Sequence, residues 1–324
     1  KLPPKTRRII CKTVTCKLHK PMEIDKIIEK FKQLDLSKYP YTEIKGLFNK
    51  VGPVGAVIVT FHKGKSVMRA RPNGDKERFE KKADFSFKPQ EFNKTYQRAS
   101  TPNETMFYAT SVPDKLEEGE LDNMRIIGIT ETIPMLRDKS KSGFQKISFG
   151  RWVVQEDLNL MAIVHHESYY KESNYTRELV NAYKGFIEQY PKELIDKSLK
   201  FQDYLASEFA KEDIRADYDY MISAIFTEII TAQGLDGILY PSVRTAGQGF
   251  NIAITPKATE KLALYVAGEC SIYKFKDQIV VGNDAIVELD GKQTEFKLID
   301  KENHEQLLLE KIGVKSIDEL KASR

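Results

Sequence analysis

No apolar run in the 324 residues approaches the roughly 20 residues a membrane span needs. The longest, 54–61 and 158–164, are strand-sized. Cysteine is scarce: three residues cannot close a disulfide framework, because one must be left over. Free thiols suit a reducing compartment, and no secretory leader is visible, so a cytoplasmic location is expected. Charge of one sign is missing as well. Lys and Arg total 51 against 47 Asp and Glu, a net charge of +4. So small an excess, mixed along the chain, gives no electrostatic footprint for nucleic acid. Neither nucleic acid nor a membrane is expected as a partner.

Several common site types are also absent. There is no Walker A loop, no G-x-G-x-x-G fingerprint, no G-x-S-x-G elbow and no H-E-x-x-H helix. Cys11, Cys16 and His19 have the wrong spacing for a zinc knuckle and no second pair follows. His165-His166-Glu167 lacks an obvious third partner. No metal is expected.

What is present is an α+β pattern: short strands interleaved with helices, without regular βαβ rhythm. Residues 1–50 read as a mostly helical lead-in, with Ile24, Ile27, Ile28, Phe31 and Leu34 at helical spacing until Tyr39-Pro40. Strands are expected at 54–61, 65–71, 106–109, 125–130, 146–154, 158–164, 235–241 and 251–255. Residues 75–105 are polar and irregular, with single aromatics as anchors, and form a loop that can wall a cleft. Residues 172–232 are helical. Beyond Pro256, short β-like segments precede a terminal helix. The division expected is 1–50, then a catalytic domain over 51–258 with a helical insert at about 172–212, then an extension over 259–324 packed on the core. The insert is read as a buttress in preference to a lid.

Four segments remain as candidates for chemistry: Met68-Arg69-Ala70-Arg71; Tyr96-Gln97-Arg98-Ala99-Ser100 followed by Phe107-Tyr108-Ala109; Ile127-Gly128-Ile129-Thr130-Glu131; and Gly237-Ile238-Leu239-Tyr240-Pro241-Ser242-Val243-Arg244 followed by Asn251-Ile252-Ala253. Each alone has an ordinary structural reading. In this order, over residues 65–256, they resemble the RES domain, named for its Arg, Glu and Ser. The 237–244 run is the most specific part.

The resemblance implies a core like the ADP-ribosyltransferases, with two small β-sheets around an NAD cleft. It also implies an enzyme that cleaves the nicotinamide–ribose bond of NAD as a glycohydrolase or phosphorylase. Such an enzyme would act as a toxin that depletes NAD, with a cognate antitoxin as partner. An ADP-ribosyltransferase acting on a protein, or an inactive NAD-binding module, are the alternatives. Carried over by residue, the arginine falls on Arg69, with Arg71 two positions on. The strand is expected to turn only one of these two to the cleft. The glutamate falls on Glu131, with Glu118 and Glu120 as rivals, and the serine on Ser242. Arg71, Arg98, Tyr108 and Tyr240 are the expected NAD contacts. Arginine forks suit a pyrophosphate, an aromatic ring can stack on nicotinamide, and a fixed carboxylate can stabilise charge on the ribose.

Overall fold

Alternation on the central strands places two cores on opposite faces of one sheet. In β2 (Pro53–Phe61), Val54, Ala56 and Ile58 enter one core while Val57, Val59 and Phe61 enter the other. That is the period of two that a strand imposes. Both faces are buried, so the strand reads as a continuous apolar run. A computed structural model of the chain describes residues 7–15, 23–74, 78–114, 123–138, 140–164, 167–170 and 173–322.

The remaining strands are β1 (Arg7–Thr15), β3 (Ser66–Pro72), β4 (Phe107–Ser111), β5 (Gly143–Val154), β6 (Leu158–Ala162), β7 (Gly237–Pro241), β8 (Phe250–Ile254), β9 (Leu262–Phe275), β10 (Gln278–Glu288) and β11 (Ile299–Asp300). They form a mixed sheet in the order β1-β2-β6-β7-β8-β4-β3-β5-β9-β10-β11. Neighbours are antiparallel except β6 and β7, which are parallel.

The sheet is pinched between β4 and β3, where a single residue pair, Met68 with Thr110, joins them. In place of the two small sheets expected, there is thus one sheet with two halves, β1 to β4 and β3 to β11 in the spatial order, joined edge to edge. The chain passes between halves by short connections from β2 to β3, β5 to β6 and β8 to β9, and by long segments from β3 to β4 and β4 to β5. Gly64, at φ +95°, lies in the turn from β2 to β3, and its N–H reaches Val154 O at the end of β5. The halves share a core in which Phe107 of β4 meets Trp152 of β5 edge-on at 5.4 Å.

Helices cover the outer faces. α1 (Ile24–Gln33), α2 (Tyr41–Val51), α6 (Lys192–Phe209) and α7 (Met221–Thr231) bury Ile27, Phe48, Phe201 and Ile225 against the first half. α5 (Asn174–Ile187) covers its other face with Tyr175, Leu179 and Tyr183. A parallel pair cannot be joined by a tight turn. The segment from β6 to β7, with the short α4 (Glu167–Tyr170) and then α5 to α7, is the crossover that the β6–β7 pair requires. α8 (Glu305–Lys311) and α9 (Ile317–Ala322) pack near the far edge.

Two regions are seen in more detail than the sequence gives, and one local expectation is corrected. Arg7–Thr15 is a strand along β2, so the first 50 residues are not helical throughout. Residues 259–324 contribute the long β9–β10 hairpin, in register with β5, and so extend the sheet. Finally, 125–130 is not a strand. Met124–Thr132 is a helix, α3, whose N-cap Asn123 accepts from the N–H groups of Arg125 and Ile126. Its Ile129, with Ile133 just beyond, packs on β5 and β9 of the second half. The β-branched run suggested a strand; the capping asparagine before it was the contrary signal.

Candidate functional site

A cleft of about 460 Å³ opens at the pinch, within the range of small-molecule sites. Its floor is set by register. Tyr108 lies opposite Ala253, Thr110 opposite Asn251, and Asn251 opposite Tyr240, so β4, β8 and β7 present one row of side chains. β3 supplies Arg69 and Arg71 from the other half, and the 96–101 loop supplies Gln97 and Arg98. α3 closes one end. It approaches β3 closely because Gly128 faces Ala70, where an added Cβ would stand 3.2 Å from the alanine methyl. One turn on, Glu131 lines the cleft.

Glu131 is tightly held. Its Oε1 accepts hydrogen bonds from Ser242 Oγ at 2.6 Å, from Asn251 Nδ2 at 2.9 Å and from the N–H of Arg244 at 3.5 Å. Its backbone carbonyl accepts from Arg137 Nη2. Ser242 is completely buried and meets the cleft through Glu131.

Both Arg69 and Arg71 line the cleft, against the expectation that only one would. Residues two apart on a strand share a face, so the pair is brought to the same side. Arg69 Nη1 donates to Tyr108 O at 2.8 Å, while its Nε is buried without a partner. Burial, and next the neighbouring Arg71, bring the Arg69 guanidinium down to about 10, still cationic at neutral pH. Arg71 lies over the Phe79 ring at 4.4 Å and donates to Asp84 O. Arg98 lies over Tyr220 and donates to Phe209 O and Lys211 O, fastening the loop to the C-terminal end of α6. The Tyr108 hydroxyl accepts from Ala99 N–H and is hydrogen-bonded to Ser100 Oγ at 2.9 Å. Burial pushes Tyr108 up to about 12 and also raises Tyr240, so both stay neutral.

The charge balance is one-sided. Arg69, Arg71, Arg98, Arg137 and Arg244 line the cleft, and Glu131 is the one carboxylate among its lining residues. Burial, and then Arg244, lower the Arg137 guanidinium below its usual value. A larger concavity of about 790 Å³ lies over β10 and α8, but its lining mixes acids and bases with no convergent set. Among the described residues, no group of three His, Cys, Asp or Glu side chains could hold a metal ion.

Arg69, Arg71, Arg98, Tyr108, Glu131 and Tyr240 thus come together, with Ser242 directly behind Glu131. Glu118, Glu120, Cys16, His19, His165 and His166 lie outside the described residues. The sequence reading gave no role to Arg137, Tyr220, Arg244 or Asn251. Arg244 and Asn251 stood within the quoted motif; nothing in the local sequence marked Arg137 or Tyr220. Comparison with curated proteins gives no match. Residues 162–272, which run from the end of β6 through the crossover helices and Ser242 into β9, match the family model of the RES domain.

Proposed function

We propose that this chain binds NAD in the cleft and cleaves its bond between nicotinamide and ribose. The observation that carries the reading is Glu131, fastened by Ser242 and Asn251 and opening into a cleft lined by five arginines. A dinucleotide pyrophosphate carries two negative charges, and planar guanidinium groups bind such oxygens in pairs. As the glycosidic bond breaks, its electron pair leaves with the nicotinamide nitrogen and positive charge develops on the ribose, as in glycoside hydrolysis. A carboxylate already oriented stabilises that charge without reorganisation. Water then adds at the ribose carbon and releases a proton, or phosphate adds in its place. Nicotinamide leaves as a neutral molecule, so no general acid is needed. The neutral, half-buried Tyr108 and the buried Tyr240 supply aromatic surface for the bases.

The RES match supports this reading, as do the two sheet halves meeting at a cleft, which suit an ADP-ribosyltransferase-like core. It also supports a role as a toxin that drains NAD, with a cognate antitoxin as the protein partner. The test is to incubate the protein with NAD, with and without phosphate, and measure nicotinamide. Mass analysis of the other product separates hydrolysis, phosphorolysis and transfer to protein. Glu131→Gln is expected to bind NAD and to lose on the order of a hundredfold in turnover. A wild-type protein that neither binds NAD nor releases nicotinamide would refute the reading.

A further inference from the structure

Glu131 is tied through one oxygen. All three donors, Ser242 Oγ, Asn251 Nδ2 and the N–H of Arg244, converge on Oε1. Oε2 has no hydrogen-bond partner among the described residues. The two side-chain donors come from different elements, the turn after β7 and the strand β8. Ser242 is fully buried and its proton is directed at Oε1; Asn251 is 7% exposed. Ser242 is not among the residues lining the cleft, while Glu131, which its hydroxyl holds, is.

We propose that Ser242 and Asn251 are positioning residues. They hold Glu131 by Oε1 so that Oε2 is presented to the ribose, and Ser242 does not touch the substrate. The assignment rests on the NAD reading of the cleft. A glutamate has three rotatable side-chain bonds, and two charge-assisted hydrogen bonds from rigid elements select one arrangement. The preorganisation lies in that choice: Oε1 is occupied before substrate arrives, and the carboxylate does not turn when charge develops.

The experiment compares Ser242→Ala and Asn251→Ala, each alone and in a Glu131→Gln background. A hydrogen bond to a charged group is typically strong enough for a tenfold to hundredfold effect. Each single variant is therefore expected to lower kcat for nicotinamide release by about that factor, with KM for NAD little changed. In the Glu131→Gln background neither change costs anything further. A rise in KM with kcat unchanged, or equal losses in both backgrounds, would overturn the proposal. Ser242→Ala removes a single oxygen, so it keeps the fold even if Asn251→Ala does not. A crystal structure of the Ser242→Ala, Asn251→Ala protein, or of Ser242→Ala alone, supplies a readout that needs no turnover. Glu131 is expected in more than one rotamer; an unmoved carboxylate overturns the positioning role. If the wild-type protein releases no nicotinamide, the NAD reading falls and the rotamer measurement alone decides the positioning.

Discussion

Gly249 couples the fold to the site, and Gly249→Ala measures how strongly. The residue sits at φ +73°, and a Cβ added there would stand 2.1 Å from Ile127 Cδ1. Ile127 is fully buried in α3, four residues before Glu131. Placing an L-residue in the left-handed region costs about 1–2 kcal/mol. Forcing a methyl into filled space costs about 1–3 kcal/mol more, so the total is about 2–5 kcal/mol. Unfolding entropy of about 2.1 cal/mol/K per residue makes each kcal/mol worth roughly 1.5 °C for a chain of this length, so Tm should fall by about 3–7 °C. The clash is relieved only if Ile127 changes rotamer or α3 moves. Movement of α3 draws Glu131 from Ser242 and Asn251, so nicotinamide release at 25 °C should fall even where the variant is fully folded. Gly128→Ala is the contrast. Its Cβ would meet the Ala70 methyl at 3.2 Å, a contact relieved by a few tenths of an ångström, and alanine improves helix propensity by about 1 kcal/mol. Near-neutral melting is expected there. Thermal melts beside nicotinamide release on both variants test the reasoning. A Gly249→Ala protein that melts and turns over like the wild type refutes it.

Glu208 lies 7% exposed beside Tyr204 and Lys211; burial is the largest influence and pushes its carboxyl above the usual glutamate range, with Lys211 opposing. A raised value in the folded state means that folding takes up a proton, so this group's contribution to stability is present at low pH and lost as pH rises through and above that range. Glu208→Gln should therefore compare more favourably with wild type at pH 7 than at pH 4 in thermal melts; a difference independent of pH contradicts this. Deleting residues 173–211 removes Tyr175, Tyr183, Phe201 and Phe209, all buried to 2% exposure or less, and with α5 and α6 most of the crossover between β6 and β7. No cooperative melt is expected from that protein, and a stable deletion with changed NAD kinetics would restore the lid reading.

The strands were legible because they are locally determined. Alternation or a short β-branched run, bounded by turn residues, was enough to find β2, β3, β4, β6, β7 and β8 within a few residues. The α3 error came from the same rule: Ile126, Ile127 and Ile129 score as a strand, and only capping and the packing of Ile129 on β5 and β9 make them a helix. The long β9–β10 hairpin was broken into pieces because Gly268-Glu269 in β9 and Gly282-Asn283-Asp284 in β10 look like turn residues; its continuity comes from pairing, β9 with β5 and with β10. At the site, Arg69, Arg98, Tyr108, Glu131 and Ser242 were named through the resemblance of four ordered segments to the RES domain. Arg137 and Tyr220 were not, because they reach the cleft through tertiary packing rather than any local pattern.

The crossover and the cleft are physically linked, and the link runs through Arg98. A parallel β6–β7 pair forces the chain to leave the sheet and return, and α6 lies on that excursion. The helix ends at Phe209, where its last carbonyls have no intrahelical donors. Arg98 donates to one of these, Phe209 O, and to Lys211 O just past the helix end, while its guanidinium lies over Tyr220 at the cleft wall. Just beyond, Arg244 Nη1 stands 3.9 Å from Glu212 Oε2, a second tie between the same segment and the loop that follows Ser242. The negative end of the α6 dipole thus offsets part of the mutual repulsion among cleft arginines before any anion arrives. The helical insert, read from the sequence as a buttress, and the segment just after it therefore contact two of the five arginines. Their contribution to the site is electrostatic as well as mechanical, since the carbonyls that fix Arg98 also favour its charge.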